Sequence, residues 1–193
     1  MSLVLGAASA EAATPAETMI SDNIRTGLQI LGDRQASAAD RAARFNTFLL
    51  GVTDLKRVSK FVLGRYDAQA TPAERDAFAA AFQRYAVSVY QSYLGKYSGQ
   101  TLTVTGSQHV AAGDDVVNAN LIDPASNSRP LELSFRVNSS GAAPVIVDFS
   151  VGGIWLALEE RDQFTAFLGQ NGGSIPALID HLDAIRAKLS TAG

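Results

Sequence analysis

From Thr71 to Tyr97 the chain carries one long amphipathic pattern, and any fold it adopts must find a partner for the aromatic side of that stretch. Thr71 is a good N-cap, Pro72 suits the first helical position, and Glu74 can return to the cap N–H as a capping box. Phe78, Phe82, Tyr85 and Val89 then step by four, three and four residues, and Ala86, Tyr90, Tyr93 and Tyr97 form a second row beside them. The two rows make an apolar stripe wider than a coiled-coil seam. Gly95 and Gly99 supply stop chemistry. The spacing predicts a helix of about six turns, long beside the three-turn average. Two readings of the stripe stay open at this point: ordinary core packing, and one wall of an apolar cavity.

The 193 residues suit one domain able to bury a sizeable core. Sixteen basic and 19 acidic residues are interspersed, and no block of like charge points to nucleic acid or to a polybasic membrane patch. The absence of cysteine excludes disulfides and thiolate metal sites. Residues 1–13 read as a signal-peptide remnant or small-residue tail, with A-x-A patterns at Ala8-Ser9-Ala10 and Ala10-Glu11-Ala12, so export is expected. No other segment approaches the roughly 18 apolar residues of a membrane span. The domain is expected over residues 14–193, as a monomer.

Thr14-Pro15-Ala16-Glu17 repeats the helix-start signal, and a helix is predicted from Pro15 to Leu31. A second is predicted from Ala38 to Leu50, and a third capped by Thr53, with Leu55, Val58, Phe61, Val62 and Leu63 inward and Lys56, Arg57 and Lys60 outward. After Gly99 the period changes from 3.6 to 2. Alternation around Leu102 and Val104, Val117 to Leu121, Leu131 to Val137 and Val145 to Val151 predicts an antiparallel meander with one covered face. Gly152-Gly153 marks a bend. Helices then follow through Ile154 to Leu168 and from Ser174 to Leu189. Segregated helices and strands argue an α+β fold: helices flanking a four-stranded or slightly larger antiparallel sheet that curls around an apolar cavity.

A search for catalytic constellations yields little. His109 and His181 fall in separate segments and in no ligand-like cluster. Glu159-Glu160 and Asp114-Asp115 are adjacent acids whose side chains diverge, and they read as solvated surface. Asp148 alternates away from Val147 and Phe149 and reads as outward. Gly172-Gly173 lacks the spacing of a phosphate loop, and no G-x-S-x-G elbow occurs.

Phe61-Val62-Leu63-Gly64-Arg65-Tyr66 followed by Thr71-Pro72-Ala73-Glu74-Arg75 resembles the F-V-L-G-[KR]-Y-W…T-P-E-[QE] signature of MlaC-type proteins, the toluene-tolerance auxiliary family. Val147-Asp148-Phe149 with Gly153-Ile154-Trp155-Leu156 is similar to that family's D-V-x-V-E-G-V-S-L strand. Arg161, Gln163 and Phe164 match its R-x-Q/E-F helix, and Asn171-Gly172-Gly173 with Leu178-Ile179 match its closing G-G-x-x-x-L-I. The resemblance spans about residues 15 to 190. Asp67 stands where the family often has Trp, Glu159-Glu160 where many members have Asn-Tyr, and Trp155 where a small residue is usual. That pattern is closer to the hopanoid-associated, HpnM-like branch.

The resemblance implies a periplasmic carrier that holds phospholipid acyl chains, or a hopanoid, in a greasy pocket. It implies that lipid moves between an outer-membrane lipoprotein complex and an inner-membrane ABC transporter with an MCE-domain component, without cofactor or covalent step. The residues taken for the lipid site are Phe61, Leu63, Tyr66, Phe78, Phe82, Tyr85, Val89, Val147, Phe149, Ile154 and Leu156, each on the apolar side of its own element. Two other classes compete. An isomerase- or dehydratase-type enzyme on an α+β scaffold needs converging acids in a polar pocket, and a pure adaptor needs a closed core.

Overall fold

The structure is a computed structural model that describes residues 12–94, 97–126 and 129–191. The A-x-A pattern at Ala8-Ser9-Ala10, the stop signal at Gly95 and the link residues Asn127 and Ser128 lie outside the described residues. Among the described residues, six α-helices and five strands follow in the order α1 (Pro15–Gly32), α2 (Ala38–Val52), α3 (Leu55–Leu63), α4 (Pro72–Leu94), β1 (Thr101–Ala111), β2 (Asp114–Ile122), β3 (Leu131–Asn138), β4 (Val145–Val151), β5 (Ile154–Trp155), α5 (Leu156–Gln170) and α6 (Ile175–Thr191). The fold is α+β, and the sheet is an open antiparallel meander in the order β1-β2-β3-β4-β5.

The helix starts follow the sequence chemistry. Both Thr-Pro-x-Glu segments form complete capping boxes. Thr14 and Glu17 exchange bonds of 3.2 and 3.0 Å, and Thr71 and Glu74 exchange bonds of 3.2 and 2.8 Å. The cap of α3 is Asp54 rather than Thr53: the Asp54 carboxylate accepts the Arg57 N–H at 2.9 Å. The Thr53 hydroxyl instead donates back to the Leu49 carbonyl, and its backbone bridges to Ile146 of β4. A β-bridge and an N-cap compete for the same residue, and Asp54 is the better acceptor for the helix end.

Two hydrophobic clusters form, and they do not merge. The larger joins α3, α4, α5 and α6 through Val62, Leu63, Phe78, Phe82, Phe164, Leu168 and Leu182. Phe164 meets Phe78 and Phe82 edge-on, with ring centroids 6.2 and 6.3 Å apart. The smaller cluster lays Ala16 and Ile20 of α1 on the covered sheet face, against Val117 and Val137, with Val104, Phe135 and Ile146 around them.

The strand alternation breaks once where it matters. Arg136 pairs with Asp148 but Val137 pairs with Ile146, so Val147 is an extra, bulged residue. Ile146 and Phe149, rather than Val147 and Phe149, therefore share the covered face, and the Phe149 ring lies 5.2 Å from that of Phe135. β5 covers the far edge of β4 only at Ser150 and Val151, and Thr53 covers it at Ile146. Between those points the edge of β4 is open to whatever lies beside it.

Gly64 holds the turn from α3 into a single 3₁₀ turn, Gly64–Tyr66, at φ +55° and ψ −130°. A Cβ there would stand 2.9 Å from Thr165 Cγ2 and 3.2 Å from Arg161 Nε of α5. Gly51, inside α2, has open space and ordinary helical backbone. Gly64→Ala is therefore expected to lower stability by about 1–3 kcal/mol, and Gly51→Ala to raise it by up to about 1 kcal/mol. Urea unfolding of the two variants checks the opposite signs.

Candidate functional site

The gap between the two clusters is an open apolar cleft that encloses about 90 Å³. α4 supplies Phe82, Tyr85, Ala86, Val89 and Tyr90 to one wall. Facing them are four successive residues of β4, from Ile146 to Phe149. Four neighbours in a strand can line one cleft because the bulge at Val147 and the uncovered edge of β4 bring both pleat directions to it. Leu55 and Val58 of α3 close one end, and Leu156, Ala157 and Glu160 of α5 close the other.

The structure brings together six of the eleven residues named from the sequence: Phe82, Tyr85, Val89, Val147, Phe149 and Leu156. It places the other five elsewhere. Leu63 and Phe78 are buried in the helical cluster, and Tyr66 packs beside them, under the Gly172-Gly173 turn. Phe61 is exposed, with the Arg161 guanidinium over its ring at 4.9 Å, and Ile154 is exposed in the β4–β5 hairpin. Helical period could not separate Phe78 from Phe82, because both lie on the same stripe and only the end of the α4–α6 packing decides which faces the gap. Ile146 was hidden by the bulge. Tyr90 belongs to the second aromatic row, which the sequence displays but does not aim.

Two acids in this wall are not the solvated groups that spacing suggests. Asp148 lies half-buried, and its Oδ1 accepts the Phe149 N–H at 2.7 Å and the Ala157 N–H at 2.9 Å. Trp155, at the N-cap of α5, has no side chain able to cap, so Asp148 performs that function from the neighbouring strand. Burial pushes the Asp148 carboxyl above its ordinary range, against the pull of the two N–H groups and Arg136. Glu160 accepts the Tyr85 hydroxyl at 2.7 Å through Oε1, while Oε2 is buried without a hydrogen-bond partner. Burial likewise pushes the Glu160 carboxyl up, only partly opposed by the Tyr85 bond. The Tyr90 phenol is raised by burial and by the fields of Asp148 and Glu160.

His109 pairs with Asp115 at 2.8 Å on the exposed end of β1, and His181 stacks on Phe167 with centroids 4.5 Å apart. Neither reaches the cleft. Among the described residues, no group of three or more His, Asp or Glu is placed to hold a metal ion, and no helix is long and apolar enough to cross a membrane.

The family model described as MlaC protein matches residues 21–184. Among solved structures, the chain is similar to a phospholipid-binding protein from Ralstonia solanacearum, determined in complex with a phospholipid. The TM-score is 0.74 at 25% identity, over 93% of this chain and 99% of that one.

The buried Glu160 yields a prediction with a definite sign. Its folded pKa is raised, so the folded chain holds the proton more tightly than the unfolded chain does. That stability is present at low pH and is lost as pH rises through the folded value. Glu160→Gln keeps an acceptor for Tyr85 and carries no charge. The variant should melt higher than the parent at pH 7.5, and the difference should close as pH falls toward the ordinary carboxylate range near ~4.3. Paired thermal melts across that range check it, and a variant that melts lower at pH 7.5 contradicts it.

Proposed function

The chain belongs to the MlaC protein family, and from that premise we propose that it is a periplasmic lipid carrier whose cleft between α4 and β4 holds a phospholipid acyl chain. The observation that carries the reading is the cleft itself: an apolar gap left between two hydrophobic clusters that a closed core would have merged. The phospholipid bound by the Ralstonia solanacearum protein of the same fold supports it.

The energetics state what such a carrier must do. A diacyl lipid exposes roughly 30 methylenes, and at ~0.8 kcal/mol each, leaving a bilayer unaided costs on the order of 20 kcal/mol. Apolar contact with Phe82, Val89, Ile146, Phe149 and Leu156 offsets part of that cost without directional bonds, which suits release at an acceptor. The enclosed part of the cleft is only about 90 Å³, so full burial of an acyl chain requires α4 to move away from β4. In the working cycle, lipid passes between an outer-membrane lipoprotein complex and an inner-membrane MCE-type ABC transporter, with this protein as the diffusing component and no covalent step.

The one observation favouring an enzyme instead is Glu160, a buried carboxyl with an unpartnered oxygen in a cleft. The other carboxyl of the cleft, Asp148, is committed to the start of α5.

Organic extraction and mass spectrometry of the purified protein separate these readings. The carrier yields near-stoichiometric phospholipid, or a hopanoid if the pocket takes a polycyclic lipid, whereas the enzyme yields none. Val89→Trp and Val147→Glu should lower extracted lipid severalfold with little change in thermal midpoint. Phe78→Ala should cost about 3–5 kcal/mol yet leave lipid per folded molecule unchanged. Lipid content and stability falling together in all three variants would remove the assignment.

A further inference from the structure

The cleft does not end at its apolar wall. Val58, Val147, Asp148 and Ala157 line it and also line a second crevice, which opens on the polar face of the sheet. Arg57 and Phe61 of α3 form one side of that crevice, and Asp114 and Arg136 form the other. The crevice adjoins the cleft across these shared residues and holds two guanidinium groups. Resting on the carrier reading above, we propose that this crevice is a subsite for the phosphodiester of a lipid headgroup, and that Arg57 is the residue that reads it.

The charges in the crevice single out Arg57. Arg136 is committed to Asp114: its Nε lies 3.0 and 3.2 Å from the two carboxylate oxygens, and its Nη2 lies 2.5 Å from Oδ2. That bidentate pair holds the Asp114 carboxyl below its usual range. Asp148 has Oδ1 engaged by two backbone N–H groups. Both acids of the crevice thus already have partners. Arg57 makes no salt bridge among the described residues, although its field reaches Asp114. Its backbone is fixed at the start of α3 by the Asp54 cap, and its side chain, a fork of five donors, lines the crevice.

A planar fork matches the oxygens of a phosphodiester better than a point charge does. In a glycerolipid the phosphodiester is only a few bonds from the acyl esters, so it must lie beside the mouth of the site that holds a chain. The two lysines of the same helix do not share this position. Lys56 and Lys60 line a separate depression with Asp67 and Arg75, where Lys60 stands 4.0 Å from Asp67. They carry the same charge on the same helix and serve as controls.

The test displaces a fluorescent fatty-acid probe from the wild type, Arg57→Gln and Lys56→Gln. The competitors are phosphatidylglycerol, diacylglycerol with the same acyl chains, and millimolar inorganic phosphate. The wild type should favour phosphatidylglycerol over diacylglycerol by about tenfold. Arg57→Gln should bring the two lipids to parity, with diacylglycerol affinity and thermal midpoint unchanged. Lys56→Gln should behave as the wild type, and inorganic phosphate should displace nothing. The subsite is overturned if Arg57→Gln keeps the preference, or if it loses both lipids in parallel, which marks a structural role. It is overturned equally if inorganic phosphate protects the site as well as the phospholipid does, which marks a free-anion site. Failure of the wild type to bind either lipid refutes the carrier reading as well, whereas equal binding of both lipids refutes only the headgroup subsite.

Discussion

A joint between the sheet and the helical cluster is made by one carboxylate. Asp148 stands on β4 and accepts the N–H of Ala157 in the first turn of α5. Nothing local can do this, because Trp155 has no oxygen to offer the helix start. Sheet and helical cluster are tied together there, in the wall of the cleft. The bond acts with the β4–β5 pairing to hold the start of α5 against β4, beside the gap that α4 faces. The arrangement has a cost, since a half-buried carboxylate resists ionisation, and two backbone donors with Arg136 only partly offset it.

The gap persists because each wall is satisfied on its own far side. α4 buries Phe78 and Ala81 against α3, α5 and α6, and does not need the sheet to complete its packing. The sheet buries Val117 and Val137 against α1 and does not need α4. Between them the bulge at Val147 and the uncovered edge of β4 prevent a regular face-to-face fit. A cavity between two separate clusters can change width at less cost than one cut into a single core, because the contacts within each cluster survive the movement.

The residues by which the family is recognised are mostly not the residues that face the cleft. Val62, Leu63 and Tyr66 of the F-V-L-G-R-Y segment are buried in the helical cluster. A Cβ on Gly173 would stand 3.2 Å from the Tyr66 ring, and one on Gly64 would strike Thr165 and Arg161. Segments about a hundred residues apart thus constrain one another, and the signature describes how α3 locks onto α5 and the turn before α6. The cleft walls, by contrast, ask only for apolar bulk, which many side chains supply.

The sequence by itself determined the element order, both capping boxes, the long aromatic helix and the α+β class, since each follows from short-range period and backbone chemistry. It also held the motifs that place the chain in its family. Only the tertiary structure decided which aromatic residues face the gap. Phe78 and Phe82 are equivalent by period and differ in where α4 runs past its neighbours. Only the structure showed that Ile146 replaces Val147 on the covered face, because a bulge depends on the partner strand and leaves no mark on alternation. Only it turned Asp148 and Glu160 inward, since burial of an acid is set by what packs over it. A side chain's direction around its own backbone is local information, whereas what waits in that direction belongs to the fold.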